Sequence, residues 1–242
     1  MHRLCEIHDE LLQAIAAARD RLRGRQLTTF FPMRGMSATG ELMVVGRAVR
    51  GWQKKPWTAH DVVDAEFRAR IIREVFNWSS PEDGCPMQWV NMARGRRKSK
   101  MYNSRSSAFW RVIGCVSQSI MSAGNDWPSK LIWSDLYKVA PFGGGNPGGR
   151  LIAAQFETCK RHLAEEISFW MPKRILFLTG WNWVESFLPA LGRSVGERRD
   201  GDIQWFGSLQ LPDGNTPRVV VCVHPQGRKE AAIVQGIIQC FA

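Results

Sequence analysis

No apolar run in this 242-residue chain approaches the roughly 20 residues needed to cross a bilayer, so a membrane-embedded protein is excluded from the expectations. The opening stretch MHRLCEIHDELLQAIAAARDRLRGR (1–25) lacks the apolar centre of a secretory leader and reads as an amphipathic, charged helix. The expectation is a cytoplasmic protein that makes no use of a membrane. Paired cysteines are missing as well. Cys5, Cys85, Cys115, Cys159, Cys222 and Cys240 are scattered with no C-x-x-C, which argues against a disulfide framework and a zinc ribbon. No metal-ligand spacing and no internal repeat stand out, and neither a metal nor a cofactor is expected. Acid is scarce: 22 Asp and Glu face 33 Lys and Arg, giving a net charge of +11. Such an excess points to a polyanionic partner, with a generic basic surface as the plainer alternative.

The hydrophobic fraction, 44%, is enough for an ordinary core. Four short segments read as buried strands: ELMVVG (41–46), LIWSDLY (131–137), RILFLTG (174–180) and RVVVCVHP (218–225). Their near-continuous apolar character suits a sheet covered on both faces. Helical spacing marks 59–76, 106–120, 151–170 and a last helix after Gly227, while the turn residues of 201–219 suggest a hairpin. This alternation predicts one α/β domain over 1–242, a three-layer α/β/α arrangement around a central, mainly parallel four-stranded sheet. Residues 77–105 form a basic loop insertion in this scheme. The segments leaving the strands, GRAVRGW, SDLYKVAP, TGWNW and HPQGR, are richer in glycine and polar residues than the strands themselves. In open α/β sheets that edge is where ligands sit.

Asp135 is the unusual residue there, an acceptor-only carboxylate at the exit of an otherwise apolar strand. It either reads a ligand or pairs with Lys138. The densest charge run, Arg94, Arg96, Arg97, Lys98 and Lys100, suits a phosphate track, with a solvated loop as the alternative. Trp78 and Trp89 beside it either stack on a base or pack in the core. Asp61, Asp64 and Glu66 are water-activating candidates that equally suit the positive end of a helix.

The order of several motifs resembles the uracil-DNA glycosylase superfamily over residues 41 to 238. VVGRAVRGW (44–52) stands where the family has Gly-x-x-Pro-Gly or Gly-Gln-Asp-Pro-Tyr. SDLYKVAP, then QFETCKRHLAEEISFWMPKRILFLTG (155–180), resembles the run from the base-recognition strand to the third strand, with Cys159, Leu163, Pro172, Lys173 and Gly180 in register. VVVCVHPQGR (219–228) resembles the His-Pro-Ser motif and the helix after it.

The resemblance implies a monomeric DNA glycosylase acting in base-excision repair. Such an enzyme binds duplex or single-stranded DNA, flips a damaged or modified base into a pocket and hydrolyses its N-glycosidic bond. His224 and Asp135 become the catalytic pair, with His224 donating to a base carbonyl oxygen, or else merely capping the last helix. Gly46, Arg47, Ala48, Asp135, Trp78 and Trp89 form the base pocket, and Arg228 joins the basic run on DNA. Three departures qualify this. Ala48, Val49 and Arg50 stand where the family places a water-positioning acid or amide. Of the iron–sulfur branch's four cysteine ligands only Cys159 is present, with Val139 at another. Asp135 replaces the base-reading Asn; an ionised Asp disfavours plain uracil unless burial protonates it. A catalytically eroded nucleic-acid-binding module and a nucleoside or nucleotide hydrolase are the alternatives.

Overall fold

The computed structural model describes residues 1–79, 84–92 and 103–242. In chain order, α1 (His2–Ala17) and α2 (Arg19–Leu22) precede β1 (Leu27–Thr29), β2 (Met33–Arg34) and β3 (Met43–Ala48). Next come α3 (Ala65–Ser79), α4 (Trp89–Met92), α5 (Ala108–Met121), β4 (Ile132–Tyr137), β5 (Val139–Pro141) and α6 (Gly149–Trp170). The chain closes with β6 (Arg174–Phe177), α7 (Trp181–Val184), α8 (Leu188–Leu191), β7 (Arg193–Arg198), β8 (Ile203–Gln210), β9 (Arg218–Cys222) and α9 (Glu230–Phe241). It divides into two compact units. The first holds Met1–Pro32, Gly46–Ser80 and Ser134–Trp170; the second holds Met33–Val45, Pro81–Trp133 and Met171–Ala242.

In the first unit, Leu4, Ile7, Leu11, Leu12 and Ile15 recur at helical spacing and give α1 one buried stripe, which packs on α6. The facing stripe of α6 is unusual. Leu151, Cys159, Leu163 and Ile167 share it with Gln155, His162 and Glu166, all buried. β1 and β5 pair antiparallel, Leu27 opposite Pro141 and Thr29 opposite Val139. Gln155 clamps the start of β5, accepting from Val139 N–H at 2.9 Å and donating to its carbonyl at 2.8 Å.

The larger sheet is ordered β2-β4-β3-β6-β9-β8-β7; β2, β6, β7, β8 and β9 belong to the second unit, and β3 and β4 begin in the second unit and end in the first. The protein is therefore mixed α/β, but the sheet has seven strands and mixed direction rather than four mainly parallel ones. β6 runs parallel to β3 and β9, whereas β2 with β4, β8 with β9, and β7 with β8 are antiparallel. Two of the added strands, β2 and β7, carry no periodic signal. β2 has two residues, and β7, RSVGER, is exposed at all six positions. Gly196 and Gly207 face each other across β7 and β8 with the Trp205 ring lying over both, so a side chain at either would strike that ring.

Gly35, just after β2, lies against the backbone of the turn before β4. A Cβ placed there would sit 2.2 Å from the Ser129 carbonyl oxygen, which also accepts the Ser37 N–H. Backbone cannot swing aside as a side-chain tip does, so Gly35→Ala is expected to cost about 3 kcal/mol, read from urea unfolding.

Candidate functional site

Asp135 lies in β4, in the first unit, and is buried. Its Oδ2 makes no hydrogen bond, and among the described residues no ion pair reaches its carboxylate. The expected alternative, a pairing with Lys138, does not form. The Lys138 ammonium instead donates to the Asp135 backbone carbonyl at 2.5 Å and to Ser134 Oγ at 2.8 Å, and it pairs with Glu166 Oε1 at 2.7 Å. Three donors meet three acceptors, so this buried cation is satisfied without touching the carboxyl beside it.

Glu166 anchors a longer chain of polar contacts. Its Oε1 lies 2.6 Å from His162 Nδ1, His162 Nε2 lies 3.3 Å from His8 Nδ1, and His8 Nε2 lies 3.0 Å from Thr29 Oγ1. Thr29 Oγ1 in turn lies 3.2 Å from the Lys138 carbonyl, which also accepts the Phe30 N–H. One hydroxyl hydrogen cannot serve both His8 and that carbonyl. With His162 neutral and its Nδ1–H on Glu166, its Nε2 accepts from His8, and Thr29 donates to His8.

The charges follow from these contacts. Burial pushes the Asp135 carboxyl well above its ordinary 3.8; Lys138 pulls the other way, and Glu166 adds to the rise. Burial alone would raise Glu166, but the Lys138 ammonium and the His162 ring hold it below its ordinary value. Burial lowers His8 well below 6.5, with His162 and Lys138 adding to the effect. His162 is lowered by burial too, an effect that its bond to Glu166 partly offsets. The thiol of Cys159, beside Gln155, is pushed up to about 12 by burial, so it is inert.

These directions give a stability profile. The unfolded state takes up protons at His8 and His162 below pH 6.5 while the folded state resists, so stability present above that value is lost on acidification. Asp135 has the opposite sign, because its folded form holds a proton that the unfolded form releases above 3.8. Asp135→Asn is therefore expected to steepen the acid loss on the approach to pH 3.8 from above, by at most about 1.4 kcal/mol per pH unit, measured by denaturant unfolding across pH.

The other expected site residues fall as follows. In the first unit, Gly46, Arg47 and Ala48 end β3, Gly46 buried and the other two half-buried. Trp78 is half-buried at the end of α3, its ring edge-on to Trp52 at 6.3 Å. Asp61 accepts from the N–H and hydroxyl of Thr58, and Asp64 from the Glu66 N–H, so both cap the start of α3 and its preceding turn.

In the second unit, β6 and β9 run parallel with Phe177 opposite Val221, so Gly180 and His224 leave the sheet at one edge. His224 is half-buried. Its Nδ1 accepts from the Gln226 N–H at 3.3 Å, which leaves the ring hydrogen of a neutral imidazole on Nε2. The Phe109 ring lies nearly parallel to it, 6.3 Å between centroids, and Phe109 is in turn edge-on to Trp110. Trp89 packs against Trp110 and Trp133 at 5.3 and 5.5 Å, a core-like cluster. Arg228 is exposed and lies 3.9 Å from Asp202. Arg94, Arg96, Arg97, Lys98 and Lys100 lie outside the described residues.

A surface groove of about 590 Å³ between α5 and α9, bordered by Arg111, Cys115, Glu230 and Val234, contains none of these residues. Among the described residues no cluster of His, Cys, Asp and Glu is arranged to hold a metal, and no helix is long and apolar enough to cross a membrane. The residues that sequence reasoning missed are His8, Thr29, His162 and Glu166. The i,i+4 pair His162 and Glu166 on the apolar stripe of α6 was the one available signal. No protein-family model matches the chain, and no curated protein matches it either.

Proposed function

We propose that this protein has the uracil-DNA glycosylase-like fold and reads a base in DNA through Asp135, as a base-excision enzyme that cleaves the N-glycosidic bond. The observation that carries the reading is the buried Asp135 carboxyl with its unbonded Oδ2. Burying a polar group without a partner costs about 1–3 kcal/mol, and a ligand edge offsets that cost. Held neutral by burial, the carboxyl offers one O–H donor and one carbonyl acceptor. That pair complements an imide edge, a carbonyl beside a ring N–H, as in uracil. A protonated Asp135 thus does the work of the asparagine that the glycosylase resemblance leads one to expect.

Oligonucleotides carrying uracil, hypoxanthine, xanthine or methylated bases, treated with alkali after incubation, test this. Uracil is expected to be cut. Asp135→Asn, which keeps a donor and an acceptor, is expected to retain the activity, and Asp135→Ala to lose about 10–100-fold. Equal cleavage by Asp135→Ala and the parent would remove Asp135 from recognition.

A second reading, a binding module that does not cleave, has its own support. Asp61 and Asp64 are engaged in capping, and Ala48, Val49 and Arg50 offer no acid to activate water. Base-dependent binding without abasic product would favour it.

A further inference from the structure

Among the described residues Lys138 is the cation that acts on Asp135, and a free cation there would ionise the carboxyl. The geometry prevents this. Its ammonium is tied to Glu166, to Ser134 and to a backbone carbonyl, and Glu166 is itself fixed by His162 on the same helix and through it by His8 on α1. Among the described residues the charges that act on Asp135 are those of Lys138 after β4 and Glu166 on α6, and His162 and Cys159 on α6 and His8 on α1 border that pair. With both histidines and the thiol neutral, one positive and one negative charge cancel beside a carboxyl whose Oδ2 has no hydrogen-bond partner among the described residues.

We propose that Glu166 is a positioning residue for specificity: by engaging the Lys138 ammonium it keeps the Asp135 carboxyl neutral, and so fixes which base edge the protein reads. The inference rests on the base-reading role given to Asp135 above. Remove the charge of Glu166, and the uncompensated ammonium draws the proton off Asp135. The edge then changes from donor-plus-acceptor to acceptor-only. An acceptor-only edge rejects the carbonyl of an imide and suits a ring N–H beside an exocyclic amine.

The test is spectroscopic first, so that it does not depend on any activity. Near pH 6, where a free aspartate is ionised, the infrared spectrum of the parent is expected to show a buried carboxylic-acid C=O band that Asp135→Asn abolishes. Glu166→Gln is expected to lose that band while folded, and the charge-free pair Lys138→Met with Glu166→Gln to keep it. Persistence of the band in folded Glu166→Gln overturns the proposal. Should Glu166→Gln not fold, the carbon-13 shift of the Asp135 carboxyl in the parent decides: a carboxylate near pH 6 overturns it, and a carboxylic acid together with a retained band in the charge-free pair supports it. The functional arm is the oligonucleotide panel. Glu166→Gln is expected to lose its preference for uracil over a base presenting two donors, and an unchanged preference after loss of the band would sink the specificity role. A parent that shows the band but no base preference refutes the base-reading role of Asp135 alone and leaves the Glu166 switch standing.

Discussion

Lys138→Met is expected to be among the most damaging single substitutions in this chain. The side chain is fully buried, and its removal takes a cation from Glu166, whose Oε1 then keeps only His162 and whose Oε2 already lacks a partner. Stranding one member of a buried pair costs about 3–5 kcal/mol. In a chain of this size that lowers Tm by roughly 6–20 °C. Calorimetry of three proteins checks it: Lys138→Met, Glu166→Gln and the double variant. The double variant is expected to recover much of the loss, because no charge is left unpaired. Strict additivity of the two single losses would show that the pair does not act as a unit.

The second large effect is functional and belongs to the glycosylase proposal. His224→Ala is expected to reduce single-turnover cleavage about 10²–10³-fold, the usual consequence of deleting one donor to a developing anion. In that proposal the Gln226 N–H occupies Nδ1, and Nε2–H of a neutral imidazole would be the donor. The side chain is half-buried at the end of a strand, so the fold is expected to survive, and unchanged circular dichroism is the control. If the variant cleaves as fast as the parent, the imidazole takes no part in the chemistry.

Much of the architecture was legible because apolar runs and helical spacing report burial directly. The four expected strands appear as β3, β4, β6 and β9, and the hairpin appears as β8 leading into β9. β7 was not legible, since a strand exposed on every residue leaves no alternation to read. The phrase SDLYK flagged Asp135 and Lys138 correctly as unusual but pointed to the wrong bond between them. Lys138 turns to Glu166, 28 positions later, and local spacing cannot anticipate a partner on another element. The polar chain was hidden for a related reason. His8, His162 and Glu166 occupy stripe positions that periodicity assigns to apolar side chains, so each in isolation reads as an interruption rather than as part of a set.

The run of polar contacts from Lys138 to Thr29 has a consequence for how such a protein can diverge. His8 is 154 positions from His162 and 21 from Thr29, yet each depends on its neighbour for a hydrogen or a lone pair. A drift at one position leaves a stranded polar atom at the next, whereas an exchange of several together for aliphatics of similar volume need not. Among descendants of this sequence, these five positions are expected to covary as a block, retained whole or replaced whole, with few intermediates.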